Sequence, residues 1–291
     1  MRLKDMRIAI TGVGLKPVGH IFRDIVTGEP CHTAVFDKCG KEYKANIGTA
    51  TAYECAKEGA TVHLISRTDG NLQIVKDWIL KDIPNANIEC TALDLNETQY
   101  VAKWANKLPN DKRLYWVQSV GISSGGVNVD QPYTKIEDTS VEQLKAELSP
   151  SINTFEMIKI LLPRFRKQDE SRIAIVSSMS AVRSFTQCVP HCTGKGAISR
   201  LANAAMIDLH KDNIFISDIR PGIVDTGMYD RDGDINIVRQ ICRGFGYEYT
   251  ENLPAMPASD VGEAICMVLK SKAHFPSINM VAKGQFPHEN S

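Results

Sequence analysis

The sequence lacks an excess of charge of either sign. Lysine plus arginine and aspartate plus glutamate each number 34 in 291 residues, which gives a formal net charge of +0. A protein that binds nucleic acid or a membrane surface electrostatically needs a surplus of positive charge. We therefore expect no nucleic-acid partner and no membrane partner.

Long apolar runs are also missing. No segment approaches the ~20 apolar residues of a helix that spans a bilayer, and the short apolar run after Arg7 is unlike a signal peptide. The eight cysteines are mostly isolated, which is typical of reduced thiols rather than of a small disulfide scaffold. These absences predict a globular protein of the cytoplasm.

Short β-rich apolar runs alternate with longer helical patterns, and this alternation predicts an α/β protein with a doubly wound parallel sheet of about seven strands. The predicted strands are Arg7–Thr11, Ala60–Ser66, Ile88–Leu93, Arg113–Val120, Arg172–Ser177, Ile214–Ile219 and Ile278–Val281. The predicted helices are Thr49–Glu58, Gly70–Leu80, Glu97–Ala105, Ser151–Leu162 (closed by Pro163), Gly194–Leu209 and Ser259–Leu269. No linker divides the chain, so we predict a single domain over residues 1–291.

Two stretches interrupt the alternation. Residues 13–45 separate the first strand from its helix, far more than the roughly 2–6 residues of an ordinary strand-to-helix connection, and we predict a long inserted loop. Residues 228–257 contain three glycines and Pro254 and are predicted to form a lid over a substrate. Both follow strand carboxyl ends, where open α/β sheets bind their ligands.

The first strand ends in a glycine-containing turn, Thr11-Gly12-Val13-Gly14, and Asn46-Ile47-Gly48-Thr49 opens the next helix. Glycines in such a turn let backbone N–H groups approach a pyrophosphate, which the helix N-terminus also attracts. Glycines that merely end a strand are the alternative explanation. The pattern resembles the short-chain dehydrogenase/reductase family, whose first turn runs Thr-Gly-x-x-x-Gly-x-Gly and whose domain is a Rossmann-type fold.

The resemblance includes one departure. Gly12 and Gly48 match the family's outer glycines, and Asn46 stands at the middle one, where its tolerance of left-handed backbone angles makes the replacement mild. The 33 residues from 13 to 45 stand where the family has about three, an insertion of 30.

The resemblance implies a dinucleotide site along the strand ends. Ser66-Arg67 occupies the place of an acidic residue that would bind a ribose 2′-hydroxyl. Arginine there pairs with a 2′-phosphate, which favours NADP over NAD, although a solvated arginine is the alternative. The implied cofactor-binding residues are Gly12, Gly14, Asn46, Ile47, Gly48, Ser66, Arg67, Asp94, Leu95, Gly121, Lys195, Pro221, Gly222 and Thr226.

The resemblance also assigns a catalytic group. Ser178 would hold the substrate oxygen, Lys195 the nicotinamide ribose, and Asn153 a relay water. His191 lies 13 residues after Ser178 and four before Lys195, where the family has the proton-donating tyrosine. Histidine can move protons near neutral pH, since its reference pKa is about 6.5.

The neighbours of His191 set its preferred direction. The ammonium of Lys195 and a cationic nicotinamide ring disfavour imidazolium, so we hypothesise that His191 favours proton abstraction over carbonyl reduction at neutral pH. A reduction rate that stays flat from about pH 5 to 9 would contradict this. A lost catalytic residue at this position is the alternative, and Tyr229 offers a second source of a phenol.

The predicted function is an NADP-dependent oxidoreductase acting on a small carbonyl or alcohol compound, as a homodimer or homotetramer by family resemblance. Two alternatives remain: an NADP-binding regulator or scaffold without turnover, and a histidine-based isomerase, epimerase or dehydratase. A zinc site in residues 13–45 is disfavoured, because the spacing of His20, Cys31, His32 and Cys39 matches no compact ligand pair.

Overall fold

The computed structural model describes residues 3–24, 26–121, 135–185, 187–230, 254–283 and 285. A seven-stranded parallel sheet lies at its centre, in the order β10-β9-β8-β7-β1-β5-β6. Its strands are β1 (Met6–Thr11), β5 (Thr61–Ser66), β6 (Asn87–Ala92), β7 (Arg113–Gln118), β8 (Ser171–Val176), β9 (Ile214–Pro221) and β10 (Ser277–Met280). The predicted single-domain, doubly wound α/β fold is confirmed.

Helices cover both faces of this sheet. The described α-helices are α1 (Ile47–Lys57), α2 (Asp69–Asp82), α3 (Thr98–Lys107), α4 (Val141–Phe165), α5 (Val189–Leu209) and α6 (Ala258–Lys270). Helices α1, α2 and α6 pack on one face and α3, α4 and α5 on the other, each layer with its own apolar core. Buried on both faces, β1 is an unbroken buried run rather than an alternating one.

The strand order places the ligand-binding edge. From β1 the chain continues to β5 and β6 on one side, then returns to β7 on the other side of β1. At such a switch point the connections leave in opposite directions and open a crevice at the strand carboxyl ends. The crevice therefore lies beyond the ends of β1 and β7.

Two predicted helix starts are wrong. Helix α4 begins at Val141, ten residues before the predicted start, and contains both Pro150 and Pro163. A capping box between Ser140 and Gln143 fixes its first turn, a signal that the prediction passed over. Each proline removes only one backbone donor, and buried apolar residues of α4 hold the helix in place.

Helix α5 begins at Val189 rather than at Gly194. Pro190 falls in its first turn, where the missing N–H has no intrahelical acceptor to lose. This start puts His191 inside the first turn of α5 instead of in the preceding loop.

The segment 13–45, predicted as a loop, contains a small antiparallel sheet. Its strands are β2 (Leu15–Pro17), β3 (Ala34–Phe36) and β4 (Glu42–Ala45), in the order β2-β4-β3. We call it the inserted sheet. Val35 and Ala45 are fully buried and belong to the apolar core that the central sheet shares with α1, α2 and α6. The strands escaped prediction because each is three or four residues long and one carries a buried lysine.

The buried lysine is Lys44, and it joins the inserted sheet to the segment after β9. Its Nζ donates to Asp225 Oδ1 at 2.6 Å, to Asp230 Oδ1 at 2.8 Å and to the carbonyl of His20. The N–H of Gly19 donates to the other carboxylate oxygen of Asp230 at 2.9 Å. The inserted sheet is thereby attached to the first residues of the predicted lid, whose residues 231–253 lie outside the described residues.

Within the described ranges, no helix is both long and apolar enough to cross a bilayer.

Candidate active site

A cleft of about 540 Å³ opens at the switch point. Its walls come from the ends of β1, β5, β7, β8 and β9 and from the facing sides of α4 and α5. All sequence-predicted site residues except Gly48 line it: Gly12, Gly14, Asn46, Ile47, Ser66, Arg67, Asp94, Leu95, Gly121, Asn153, Ser178, His191, Lys195, Pro221, Gly222 and Thr226. Residues scattered along the chain therefore share one cavity.

The glycine turn packs against the end of β7. Gly12 has a φ of +87°, and a Cβ there would lie 2.6 Å from the carbonyl carbon of Ser119. A Cβ on Gly48 would lie 2.6 Å from Ser119 Oγ and 2.9 Å from the Gly12 oxygen. The absence of a side chain at Gly48 therefore lets α1 pack closely against Gly12 and Ser119, although Gly48 itself does not line the cleft. Sequence reasoning missed Ser119, whose hydroxyl is buried without a hydrogen-bond partner.

Asn46 is explained by its side chain, and the left-handed backbone argument is wrong. Its φ is −85°, in the extended region, and it is the N-cap of α1. Its Oδ1 accepts from the N–H of Thr49 at 2.9 Å and of Gly14 at 3.2 Å, and its Nδ2 donates to the Gly12 carbonyl at 2.7 Å. One side chain therefore caps the helix and holds the glycine turn across the inserted segment.

Arg67 lies exposed beyond the end of β5, at the mouth of the cleft. Lys16 of the inserted sheet also lines the cleft, and its Nζ lies 3.4 Å from the carbonyl oxygen of Gly227. Lys16 was not among the predicted site residues. The open edge of the cleft therefore carries two cationic side chains.

Asn153 is tied to the loop after β6. Its Nδ2 donates to Asn96 Oδ1 at 3.1 Å. Asn96 in turn donates through its backbone N–H and its Nδ2 to Asp94 Oδ1, at 3.0 and 2.8 Å. The two predicted residues Asp94 and Asn153 belong to one polar chain that links α4 to the β6 edge.

Two serines follow one another at the end of β8, and their hydroxyls differ. Ser177 is buried and donates to Asp218, whose other oxygen accepts from Ser199 Oγ at 2.5 Å and from Arg220 Nε at 2.8 Å. Ser178 Oγ lies at the cleft and accepts from Ser180, from the N–H at 3.1 Å and from the Oγ at 2.8 Å. Ser178 Oγ also lies 3.5 Å from the Pro221 carbonyl oxygen, so of the two serines it has the less firmly held hydroxyl.

The loop after β9 closes the far wall. The N–H of Gly222 donates to the Met280 carbonyl at 2.7 Å, and a Cβ on Gly222 would lie 2.1 Å from Gln285 Oε1. That oxygen also accepts the N–H of Ile223 at 3.1 Å. The side-chain amide of Gln285 therefore occupies the space beside the Gly222 backbone.

His191 and Lys195 lie four residues apart on α5, so both side chains project from the same face of the helix. The Lys195 Nζ comes within 3.9 Å of where a Cβ on Gly121 would be. Burial lowers the pKa of Lys195, and the nearby carboxylates of Glu147 and Asp218 oppose that shift. The Lys195 Nζ therefore lies close to the end of β7.

Glu147 of α4 faces both of these side chains. Its Oε1 lies 3.5 Å from His191 Nδ1, and the two side chains are 23% and 29% exposed. Close contact of the helices makes this possible, because a Cβ on Gly194 would lie 2.2 Å from the Glu147 carbonyl oxygen. Sequence reasoning missed Glu147, because the predicted helix began after it.

The histidines and cysteines of the inserted segment are separated. His32 Nε2 lies 2.7 Å from Glu42 Oε1, Cys31 is buried, and Cys39 is exposed. Burial raises the pKa of Cys31 to about 11. Among the described residues, no group of three or more possible ligands could hold a metal ion.

Comparison with known proteins gives one family and many similar structures. The family model described as short chain dehydrogenase matches residues 44–234. An uncharacterized oxidoreductase of Staphylococcus haemolyticus is 25% identical over 188 residues, which are 64% of this chain and 77% of that protein. The human dehydrogenase/reductase SDR family member 12 is 26% identical over 134 residues, 46% of this chain and 40% of that protein.

Solved structures show the same fold at low identity. An NADPH-bound short chain oxidoreductase from Pseudomonas aeruginosa, described as containing an atypical catalytic center, superposes with a TM-score of 0.73 at 16% identity, covering 99% of both chains. An alcohol dehydrogenase from the archaeon Thermococcus sibiricus, complexed with 5-hydroxy-NADP, gives 0.69 at 15% identity, covering 97% of this chain and 99% of that one.

Proposed function

Since this chain belongs to the short chain dehydrogenase family, we propose that it is an NADP-dependent oxidoreductase that transfers a hydride between nicotinamide and a carbonyl or alcohol substrate. One observation carries the proposal. The glycine turn, the strand-end Arg67 and the group Ser178, His191 and Lys195 all line a single cleft. A hydride transfer needs a dinucleotide site and a proton-transfer group in such a shared space.

The residues around the cleft fit a dinucleotide. Gly12 and Gly48 leave no side chain between the turn and the first turn of α1. The N–H groups of Ile47 and Gly48 begin that helix and have no intrahelical acceptor, so they suit a pyrophosphate. The unpartnered buried hydroxyl of Ser119 is a further donor beside the turn.

The remaining cofactor contacts follow the strand ends. Arg67 would pair with the 2′-phosphate, and Asp94 and Leu95 would contact the adenine. Lys195 would hold the nicotinamide ribose beside Gly121. Pro221, Gly222 and Thr226 would meet the nicotinamide amide. When bound, the cofactor supplies or accepts the hydride.

The chain's own residues would manage the oxygen and its proton. Ser178 would bind the substrate oxygen through its cleft-facing hydroxyl. His191 would give a proton to that oxygen during carbonyl reduction and take one during alcohol oxidation. Asn153 would support a relay water through its amide oxygen, because its Nδ2 is occupied by Asn96.

We also propose a homodimer or homotetramer built on the long helices. Ile152 and Phe155 of α4 are 59% and 51% exposed, and Ile207 of α5 is 72% exposed. Exposed apolar side chains of this size on the two long helices favour contact with another copy. Light scattering on the purified protein tests this, and a monomer at micromolar concentration would contradict it.

A cofactor-binding protein without turnover is the second candidate, favoured by histidine rather than tyrosine four residues before Lys195. The two functions differ in one experiment. NADPH and NADH binding is measured by calorimetry, and cofactor consumption is then followed with a panel of aldehydes, ketones and alcohols between about pH 5 and 9.

If the protein is an oxidoreductase, NADPH should bind more tightly than NADH, and turnover should fall about 10²–10⁴-fold in His191→Ala. Tight binding with no consumption on any substrate supports the second candidate. Absence of dinucleotide binding contradicts both. His191→Tyr tests whether histidine is the residue suited to the reaction at this position. A variant that reduces carbonyls faster than the parent would show that histidine is not.

A further inference from the structure

His191 lies beside two sources of positive charge. It is the third residue of α5, at the positive end of that helix. Lys195 follows one turn later on the same face. Carbonyl reduction nevertheless requires a proton on the ring before each turnover, so a compensating negative charge is needed.

The groups that can face His191 come from several elements. The titratable side chains around its turn are Glu147 of α4, Cys188 at the N-cap of α5, Cys192 and Lys195 of α5, Asp218 of β9, and Tyr229, which lines the same cleft. Burial raises the pKa of Cys188 to about 12, so that thiol is neutral. Asp218 already accepts from Ser177, Ser199 and Arg220.

Glu147 is the carboxylate that reaches the ring. Its Oε1 lies 3.5 Å from His191 Nδ1, and both side chains are mostly withdrawn from solvent, where charges are screened less than at the surface. The two helices are close together at this point, because Gly194 lets α5 approach the peptide of Glu147 itself.

We propose that Glu147 is the positioning residue of His191: its carboxylate accepts the Nδ1–H, stabilises the imidazolium, and leaves Nε2 as the nitrogen that faces the substrate oxygen. The inference rests on the proposed function for the substrate that receives the proton. In carbonyl reduction the carbon gains the hydride, the oxygen gains the Nε2 proton, and the ring becomes neutral. Alcohol oxidation returns the proton to Nε2.

This arrangement bears on the hypothesis that His191 favours proton abstraction. The ammonium of Lys195 disfavours an imidazolium, whereas the carboxylate of Glu147 favours one, so the proposed pair serves carbonyl reduction as well as alcohol oxidation. Glu147 changes the protonation of the ring without touching the substrate. Its effect must therefore depend on pH, which a purely structural role would not produce.

The direct test follows the ring proton signals of His191 by NMR through a pH titration of the cofactor-free protein. Glu147→Gln should move the midpoint of the His191 titration to lower pH by about one unit or more, the usual effect of an opposite charge at this distance. Glu147→Asp, which keeps the charge, should restore most of the shift. Glu142→Gln is the control, since Glu142 lies exposed on the same helix and pairs with Lys145.

An unchanged midpoint in Glu147→Gln overturns the inference, whether or not the protein turns over any substrate. In the kinetic arm, Glu147→Gln should reduce carbonyls about tenfold more slowly at pH 8 and within about threefold of the parent at pH 5.5. A loss that is equal at all pH values also overturns it. A parent enzyme without turnover contradicts the proposed function only, and the NMR titration still decides the role of Glu147.

Discussion

Replacing Lys44 by methionine tests the attachment of the inserted sheet. The ammonium is fully buried and lies 2.6 and 2.8 Å from the carboxylates of Asp225 and Asp230. Methionine keeps the apolar stem and removes the charge. Removal of one partner from a buried ion pair costs about 3–5 kcal/mol, because the other charge stays buried without compensation.

The expected change in melting temperature follows from the size of the chain. An unfolding entropy of about 2.1 cal/mol/K per residue gives about 0.6 kcal/mol/K for 291 residues, so the variant should melt about 5–8 °C lower. Circular dichroism during heating measures this. Lys38→Met is the matched control, because Lys38 is 79% exposed and its 3.0 Å pair with Asp77 is worth at most about 1 kcal/mol.

The loss of stability in Lys44→Met, called the deficit below, should also depend on pH. Burial raises the pKa of Asp225, and Lys44 opposes that rise. Without Lys44 the pKa rises further, so the folded variant binds a proton more tightly than its unfolded chain and loses stability as pH increases through that range. The deficit is therefore smaller near pH 5 than near pH 8. A variant as stable as Lys38→Met, or a deficit that grows on acidification, would refute the reasoning.

Three further changes have specific expected outcomes. Arg67→Ser should weaken NADPH binding about ten- to a hundredfold and leave NADH binding nearly unchanged in calorimetry, since a charge-assisted contact to phosphate is worth about 1.5–3 kcal/mol. Arg113→Ser, at the amino-terminal end of β7 and so away from the cleft, should change the binding of neither cofactor. An equal loss for both cofactors in Arg67→Ser would exclude a 2′-phosphate contact. Gly194→Ala should lower the melting temperature and the activity, because its Cβ would lie 2.2 Å from a backbone oxygen of α4. Gly196→Ala is the control: a Cβ there has nothing within 4 Å, so this variant should stabilise α5 by about 0.5–1 kcal/mol. Equal effects of the two substitutions would contradict the close packing of α4 and α5. Burial lowers the pKa of His63 to about 4, so the folded protein binds fewer protons there than the unfolded chain, and stability should fall as pH drops from about 6.5 to 4. In His63→Gln, the denaturation midpoint should depend less on pH over that window. If the midpoint changes with pH as steeply in the variant as in the parent, the buried neutral ring is ruled out as the cause.

The central sheet was predictable because its strands are short, apolar and regularly spaced between helices. Parallel strands end at one edge of the sheet, so residues at or just beyond their carboxyl ends, such as Arg67, Ser178 and Pro221, are expected to meet there. The structure confirms the sheet and gathers those residues around one cleft. Their chemical roles stay predictions.

Features that depend on long-range contacts could not be predicted in this way. Lys44 reads as a surface residue until Asp225 and Asp230 are brought to it by folding. Glu147 lies in a polar stretch before a proline, which hid the start of its helix. The sequence argument for Asn46 was its tolerance of left-handed backbone angles. Its side chain instead holds the glycine turn through hydrogen bonds to Gly12 and Gly14, which lie 34 and 32 residues away in the sequence.

The contact between Lys44 and Asp225 spans 181 positions of the sequence. During synthesis on the ribosome, the amino-terminal strands emerge long before β9, and until then the lysine has no carboxylate to receive it. The half of the sheet that carries the glycine turn therefore stays incomplete while most of the chain is made, and closes only when the last third arrives. Fragments that stop before β9 should be early targets for chaperones and proteases.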